Sequence, residues 1–209
     1  MNIIVFGATG MMGKQLVQQS LYRGFNVKAF GRNVYTTDYL QTEKLELVKG
    51  ALFDEGEVFH AVKNCDAVLS ALGGGFDGTD KTRSLGIKNI IAQMEKAKVK
   101  RIIAIGGMGI LDTEEDKMVM DTDDFPDKYL AVNGEHLQAY QLLKASSLDW
   151  TFVCPSDISN AGPTGSYHVN ADHLPEPNND RINAGDVAMF MINELEKNEF
   201  IKHRVGISN

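Results

Sequence analysis

The stretch that decides the fold is Ile3-Ile4-Val5-Phe6-Gly7-Ala8-Thr9-Gly10-Met11-Met12-Gly13-Lys14. Its first four residues are apolar, too few to span a membrane and well suited to one buried strand. Gly7, Gly10 and Gly13 follow at a spacing of three, and from about Met11 the pattern turns helical, with Met12, Leu16, Val17 and Leu21 on one side. The order is therefore strand, glycine turn, helix. Gly7 permits a sharp turn, Gly10 lets backbone N–H groups approach an anion, and Gly13 lets the helix lie close to the strand. The helix N-terminus then offers free N–H groups and the positive end of its dipole. A strand before and a helix after favour a dinucleotide site over a turn that merely needs glycine. A P-loop is excluded, because Ala8 stands where its first glycine belongs and Gln15 replaces the required Ser or Thr.

Working outward, 209 residues suit one domain with a sizeable core. Hydrophobic content of 43% and charged content of 23% are those of a soluble globular protein. A formal charge of −7 argues against general binding to nucleic acid or to an anionic membrane. No long apolar run or basic leader is visible, so neither a signal peptide nor a membrane span is expected, and the cytoplasm is the expected location. Cys65 and Cys154 are far apart and read as reduced, structural thiols.

Gly24 fits the C-cap of the first helix. Phe25 to Phe30 reads as a second strand, closed by Gly31-Arg32-Asn33. In a dinucleotide fold the end of this strand meets the adenosine ribose, where an acid binds the 2′-hydroxyl and an arginine a 2′-phosphate. Arg32 stands about 19 residues after Gly13, with no acid nearby, which points to NADPH/NADP rather than NADH; a solvated surface arginine is the plainer reading. Leu45 to Val48 is a short third strand, and Asp54 with Glu57 has capping-box spacing ahead of a helix to about Lys63. Asp54 is thus a cap rather than a ligand. Asp66 to Leu72 reads as a fourth strand, followed by Gly73-Gly74-Gly75, which is either a close approach to a cofactor or a floppy loop.

A long helix is expected over 79–98, with Leu85, Ile87, Ile90, Ile91 and Met94 on its apolar side, then a fifth strand from Arg101 to Gly106. Residues 112–127 are strongly acidic. They read as a solvated, mobile loop, or as a flap that disfavours anionic substrates; no EF-hand pattern and no other metal-ligand spacing is present. A helix over 128–146 leads to a sixth strand, Leu148 to Cys154, broken by Pro155. The Pro-, Gly- and Asn-rich stretch 155–182 is too long for a plain connection and is expected to help form a substrate pocket. Asp186 to Lys197 reads as a final helix and His203 to Ile207 as a last strand. The five histidines, His60, His136, His168, His173 and His203, read as surface residues, although His168 and His173 fall in the pocket-forming stretch. Strands alternating with helices make the fold class α/β, an open, doubly wound parallel Rossmann sheet in one domain.

Three places carry a family resemblance. Val5-Phe6-Gly7-Ala8-Thr9-Gly10-Met11-Met12-Gly13 has the form GxxGxxG, Ser147-Leu148-Asp149-Trp150-Thr151-Phe152-Val153-Cys154-Pro155 looks like an LDWTxxRP strand, and Ile182-Asn183-Ala184-Gly185-Asp186-Val187-Ala188 matches I-x-x-x-D-V-A. The chain resembles the atypical short-chain dehydrogenase/reductases, in the compact NAD(P)H-binding group related to NmrA-like proteins and biliverdin-IXβ/flavin reductase. Along with the motif glycines Gly7 and Gly13, the resemblance implies pyrophosphate contacts at Thr9, Gly10, Met11 and Met12, and a 2′-phosphate contact at Arg32. It implies backbone contacts to adenine near Ala51 and Leu52, and Ala71, Leu72 and Gly73 beside the ribose. Near nicotinamide it implies Gly106, Gly107, Tyr129, Pro155, Ser156, Asp157 and Ile158. Ala51 and Cys154 depart from the Asp and Arg common at those positions.

The larger departure concerns catalysis. Typical members use a Tyr, a Lys four residues later and a Ser after the fifth strand. Here Tyr129 is the candidate catalytic tyrosine, but Asn133 replaces the lysine, and Gly107 and Met108 stand where the serine would be. A tyrosine with a pKa of about 10 and no cation nearby is a poor acid or base at neutral pH. Oxidation of ordinary alcohols is disfavoured. Reduction of a flavin, quinone or similar conjugated acceptor is compatible, because such acceptors take hydride readily and collect a proton from water. The alternatives are a non-catalytic NADP(H)-sensing regulator of the NmrA type, and a sugar-nucleotide epimerase or dehydratase. The expected partner is a small-molecule acceptor, the expected state a monomer or small homo-oligomer.

Overall fold

The computed structural model describes residues 1–115 and 117–209. Asp116, within the acidic stretch, lies outside the described residues. The strands are β1 (Asn2–Phe6), β2 (Asn26–Gly31), β3 (Leu45–Lys49), β4 (Ala67–Ser70), β5 (Arg101–Ile105), β6 (Asp149–Pro155), β7 (Asp157–Ser159), β8 (His168–Ala171), β9 (Arg181–Asn183) and β10 (His203–Ser208). The helices are α1 (Met11–Tyr22), α2 (Glu55–Val62), α3 (Thr82–Ala97), α4 (Leu130–Ala145) and α5 (Ala184–Lys197).

The main sheet has the order β3-β2-β1-β4-β5-β6-β10-β8. The chain starts in the middle, builds outward to β3, then crosses to the other side of β1 and builds outward again. The order reverses between β1 and β4, and a crevice opens there at the C-terminal ends of the strands. Successive residues of β1 serve opposite faces. Ile3 and Val5 pack with Leu16 of α1 and Met191 of α5, whereas Ile4 and Phe6 pack with Val58 of α2, Ile90 of α3 and Leu143 of α4. Both faces are covered, which is why these strands read as unbroken apolar runs.

Several expectations are corrected. Strand β6 is not broken at Pro155 but runs through it, pairing Pro155 with Ile207 of β10. The missing N–H faces the β5 side, where the ladder has already ended at Ile105 and Val153, so no sheet hydrogen bond is lost. The stretch after Pro155 contributes an unforeseen edge strand, β8, which lies antiparallel to β10, so the sheet is not wholly parallel. Leu85 is half-exposed rather than part of the apolar side of α3. The acidic stretch is anchored at its start, while Glu114, Glu115, Asp121, Asp123, Asp124 and Asp127 are exposed. Asp112 pairs with the buried Arg204 and bridges to Met118 and His173, while Ile110, Leu111 and Val119 are buried. His136 is a core residue, 8% exposed, and not a surface one. No helix among the described residues is long and apolar enough to cross a membrane.

Candidate functional site

The dinucleotide loop sits at the crevice. Gly7 has φ +74°, and a Cβ there would stand 2.3 Å from the Ala71 carbonyl oxygen. The loops after β1 and β4 therefore touch at the switch point, and only glycine fits. A Cβ on Gly13 would lie 2.1 Å from the Gly7 carbonyl oxygen, so this glycine closes helix α1 onto the loop. Gly10 differs. Its Cβ would meet only the Gly7 carbonyl oxygen, at 3.4 Å, and otherwise open space. Gly10 is also the N-cap of α1, and no side chain caps that end. The amides of the first helical turn, Met11, Met12 and Gly13, have no acceptor within the helix and face this open space with the positive end of the dipole. The two motif glycines that packing explains leave a third whose absent side chain leaves room for an anion. This cradle fits a dinucleotide pyrophosphate.

The loop is held by a residue that no local pattern signals. The Tyr39 hydroxyl donates to the Ala8 carbonyl at 2.5 Å, and burial pushes its pKa up to about 12. Thr9 is exposed, and its methyl group would be 3.3 Å from a Cβ on Gly31, the last residue of β2.

Beyond β2, Arg32 lines a cavity of about 280 Å³ with Lys49, Gly50, Ala51 and Glu57. Among the described residues neither Arg32 nor Lys49 is ion-paired. Asp54 caps α2 as expected, accepting from Glu57 N–H at 2.8 Å. The reciprocal arm is not that of a capping box, since the Glu57 carboxylate accepts from Ala51 N–H at 2.6 Å. At the expected Ala51 contact the amide is already engaged, and the carbonyl accepts from Asp54 N–H. The Leu52 carbonyl accepts from Asn89, while Leu52 N–H has no partner among the described residues.

After β4, Ala71 donates its amide to Phe6, and the Leu72 side chain packs towards Gly86 of α3. At Gly73 a Cβ would meet nothing within 4 Å. The following glycines are not floppy. Buried Arg83 donates to the carbonyls of Gly75 at 3.0 Å and Gly74 at 3.2 Å, and Asp80 accepts from Gly75 N–H at 3.0 Å.

After β5, the glycines answer to packing. A Cβ on Gly106 would stand 2.6 Å from the Phe152 ring, and one on Gly107 would stand 2.7 Å from Asn133 Oδ1 and 2.9 Å from His136 Cδ2. A serine side chain has no room at 107. Tyr129, half-buried, precedes α4, and its carbonyl accepts from Asn133 Nδ2 at 2.9 Å. Its hydroxyl has no partner among the described residues. The expectation that no cation is near is corrected, since Lys128 Nζ lies 4.7 Å from the centre of the ring. An ammonium over the ring face still does not donate to the hydroxyl as the family's lysine would. His136 cannot substitute as an acid, because burial, with the Arg83 charge, pushes its pKa down to about 3.

The last expected contacts are divided. Pro155 and Ser156 are buried, Ser156 N–H donates to Ile207 and its hydroxyl to Asn178, and Asp157 N–H donates to Asp180. The backbone donors of Ser156 and Asp157 are thus committed to the protein. Ile158 is half-buried beside Ile182 in the small β7–β9 sheet. The stretch around residue 164 is tied down by buried Asp186, which accepts from Thr164 N–H at 2.7 Å, Gly165 N–H at 2.8 Å and the Thr164 hydroxyl at 2.8 Å. The aspartate of the I-x-x-x-D-V-A motif is therefore a fastener for this loop. Among the described residues no three His, Cys, Asp or Glu side chains are grouped to hold a metal ion.

An uncapped helix end, a glycine open to an anion and two cations without an ion pair among the described residues, Arg32 after β2 and Lys49 at the end of β3, line the same edge of the sheet. A family model described as NAD(P)H-binding matches residues 7–198. The chain belongs to the NAD(P)H-binding family. It fits among the atypical short-chain dehydrogenase/reductases of that family. It is 29% identical to the "Uncharacterized protein YwnB" of Bacillus subtilis (strain 168), over 99% of this chain and 98% of that one. A structure of a Streptococcus pneumoniae TIGR4 protein called a "putative NADH-flavin reductase" shares 27% identity at a TM-score of 0.86, covering 100% of this chain and 99% of the other. A structure of a Bacteroides thetaiotaomicron protein called a "putative epimerase" shares 29% identity at a TM-score of 0.87, covering 99% and 96%. Within this NAD(P)H-binding protein, Lys49, Tyr39, Arg83 and Glu57 are the site residues that sequence reading missed. Only Glu57 left a trace, its capping-box spacing, and that trace pointed to Asp54 N–H instead of Ala51 N–H.

Proposed function

We propose that this NAD(P)H-binding protein uses NADPH to reduce a flavin, quinone or similar conjugated small-molecule acceptor. The observation that carries the reading is that Gly107 and Asn133 stand where the family's serine and lysine would be, with Asn133 Oδ1 2.7 Å from where a side chain at 107 would begin. Without that serine and lysine the site has no built proton relay for a carbonyl or alcohol. The relative called a "putative NADH-flavin reductase" supports the same class of acceptor.

In this reading the amides at the start of α1 hold the pyrophosphate, and Arg32 with Lys49 faces a 2′-phosphate. When bound, the cofactor supplies a hydride from its nicotinamide ring. The protein's part is proximity and orientation. The Tyr39–Ala8 hydrogen bond fixes the phosphate loop, Arg83 fixes the loop after β4, and Asp186 fastens the stretch that would border the acceptor. Tyr129 offers a ring face and a hydroxyl at the rim, without acting as the acid. The acceptor collects its proton from water. The buried free thiols Cys65 and Cys154 accord with work in the reducing cytoplasm, as a monomer or small homo-oligomer.

The test is NADPH oxidation across a panel of flavins, quinones and tetrapyrroles, with the affinities of NADPH and NADH measured alongside. Turnover with a conjugated acceptor and tighter binding of NADPH are expected. Tight NADPH binding with no turnover on any acceptor would replace this reading by that of an NADP(H) sensor. Turnover of a nucleotide sugar would replace it by that of an epimerase.

A further inference from the structure

Phe76 is 62% exposed, yet the loop that carries it is held still on both sides. Before it, buried Arg83 donates to the carbonyls of Gly74 and Gly75, and the Arg83 guanidinium lies over the Phe76 ring, 5.8 Å from its centre. After it, Asp77 accepts from Thr79 N–H at 3.0 Å, and Asp80 from Thr82 N–H at 2.8 Å. One face of the ring is covered by a cation and the exposed remainder is open. A lone exposed phenylalanine needs no explanation, but one fixed from below does. Its place in the fold supplies one. The loop leaves β4 where Ala71 meets Gly7, and passes Gly73, where a Cβ would meet nothing within 4 Å. Phe76 is three residues further on, a reach of at most about 11 Å. A dinucleotide lies across such a crevice with its halves on either side of β1. Arg32 after β2 marks the adenosine half, so the loop after β4 borders the nicotinamide half. The loop also meets the start of α4, since a Cβ on Gly78 would stand 3.0 Å from the Ala131 methyl group, two residues beyond Tyr129.

We propose that Phe76 is the stacking platform for the acceptor, and that the acceptor is a planar, fused-ring molecule such as an isoalloxazine or a naphthoquinone rather than a monocyclic quinone. This narrows the acceptor class of the reductase reading above and rests on it. Aromatic rings gain most from offset stacking, with one face of each in contact. Two or three fused rings can lie on the open face of Phe76 with one part while another part faces the nicotinamide; a single ring cannot do both. Stacking also asks for no hydrogen-bond donor, in keeping with backbone amides at Ser156 and Asp157 that are already engaged.

Riboflavin is the probe. Its affinity for the NADP-saturated protein is measured by equilibrium dialysis for the wild type, Phe76→Ala and Phe76→Trp, with NADPH oxidation by riboflavin and by 1,4-benzoquinone followed alongside. Phe76→Ala should weaken riboflavin about tenfold, seen in KM more than in kcat. The loss for 1,4-benzoquinone should be several-fold smaller. Phe76→Trp should restore the affinity, and its indole should quench riboflavin emission on binding. Both variants should bind NADPH as the wild type does, because the phosphate loop and Arg32 are unaltered. Unchanged riboflavin affinity in Phe76→Ala overturns the proposal. So do equal losses for the two acceptors, or a loss that Phe76→Trp does not restore, since either would make Phe76 a prop for its own loop. A wild type that binds no riboflavin overturns it as well. Riboflavin held through Phe76 without turnover of any acceptor upholds the platform while the reductase reading fails.

Discussion

Gly107 and Asn133 interlock: a Cβ on the glycine would stand 2.7 Å from the amide oxygen of the asparagine. In typical members of the superfamily these two places carry the serine and the lysine of the proton relay. Here Asn133 fills the space that a serine side chain at 107 would need. Gly107→Ser should therefore destabilise the fold by about 1–3 kcal/mol through overpacking, without conferring alcohol dehydrogenase activity. Combined with Asn133→Ala, it should cost less than the two single losses added together, since the variant makes room. Urea unfolding of the four proteins of this cycle reads the coupling. Strict additivity would show that the two positions do not press on one another.

Arg32→Ala should weaken NADPH binding by about tenfold to a hundredfold, the worth of charge-assisted hydrogen bonds to the 2′-phosphate. NADH binding should barely change. Because Lys49 lines the same cavity, Lys49→Ala should weaken NADPH in the same selective way, and the pair should leave little preference between the cofactors. Equal losses for NADPH and NADH on removing Arg32 would refute its assignment to the 2′-phosphate.

Gly10→Val and Gly13→Val should fail for different reasons. Gly10 has φ −79° and ψ 170°, ordinary extended backbone, and open space around its missing Cβ. Its valine variant should fold with a near-native melting temperature and lose cofactor binding, since the side chain occupies the anion's place. At Gly13 a Cβ would stand 2.1 Å from a backbone oxygen, so that variant should fail to fold stably. Retained NADPH binding by a folded Gly10→Val protein would mean that the loop is not a dinucleotide site.

Tyr129→Phe should slow reduction of a conjugated acceptor by about tenfold or less. Removal of a true general acid would cost about 10²–10⁴ in rate. The ring would remain in place, with its neighbour Lys128 over one face. Steady-state NADPH oxidation with an acceptor active for the wild type decides the matter. A thousandfold loss at unchanged NADPH affinity would restore Tyr129 as the proton donor.

Stability should fall as the pH drops below neutrality, and His136 should be the main cause between about pH 6 and 4.5. Burial holds its folded pKa down at about 3, while in the unfolded chain it is about 6.5. Between these values the unfolded state binds a proton that the folded state does not, so its contribution is complete above about 6.5 and is lost as pH falls towards 3. The slope is at most about 1.4 kcal/mol per pH unit, and most carboxylates titrate below this window. His136→Leu should flatten the slope in chemical denaturation, whatever its stability at pH 7. An unchanged slope would assign the acid sensitivity elsewhere.

The sequence by itself determined the strand–glycine–helix unit at residues 3 to 14, the alternation of strands and helices, the cap at Asp54 and the cation after β2. These are legible because they rest on short-range physics. A buried strand needs an apolar run, a helix face repeats every three or four residues, and a turn against an anion needs glycine. The tertiary structure decided the rest. Strand β8 carries only one strongly apolar residue, Val169, and becomes a strand because β10 offers it an unpaired edge. His136 sits at a helical position no different in pattern from a surface one, and it is buried because α4 turns that face towards Gly107 and Arg83. Asp112 and Arg204 are 92 residues apart, and an aspartate paired with a distant buried arginine looks in sequence like any solvated one. Glu57 was readable as a capping residue, but which amide its carboxylate takes depends on how the chain leaves β3. Contacts between distant residues follow no local period, and only packing the helices on both faces of the sheet selects them.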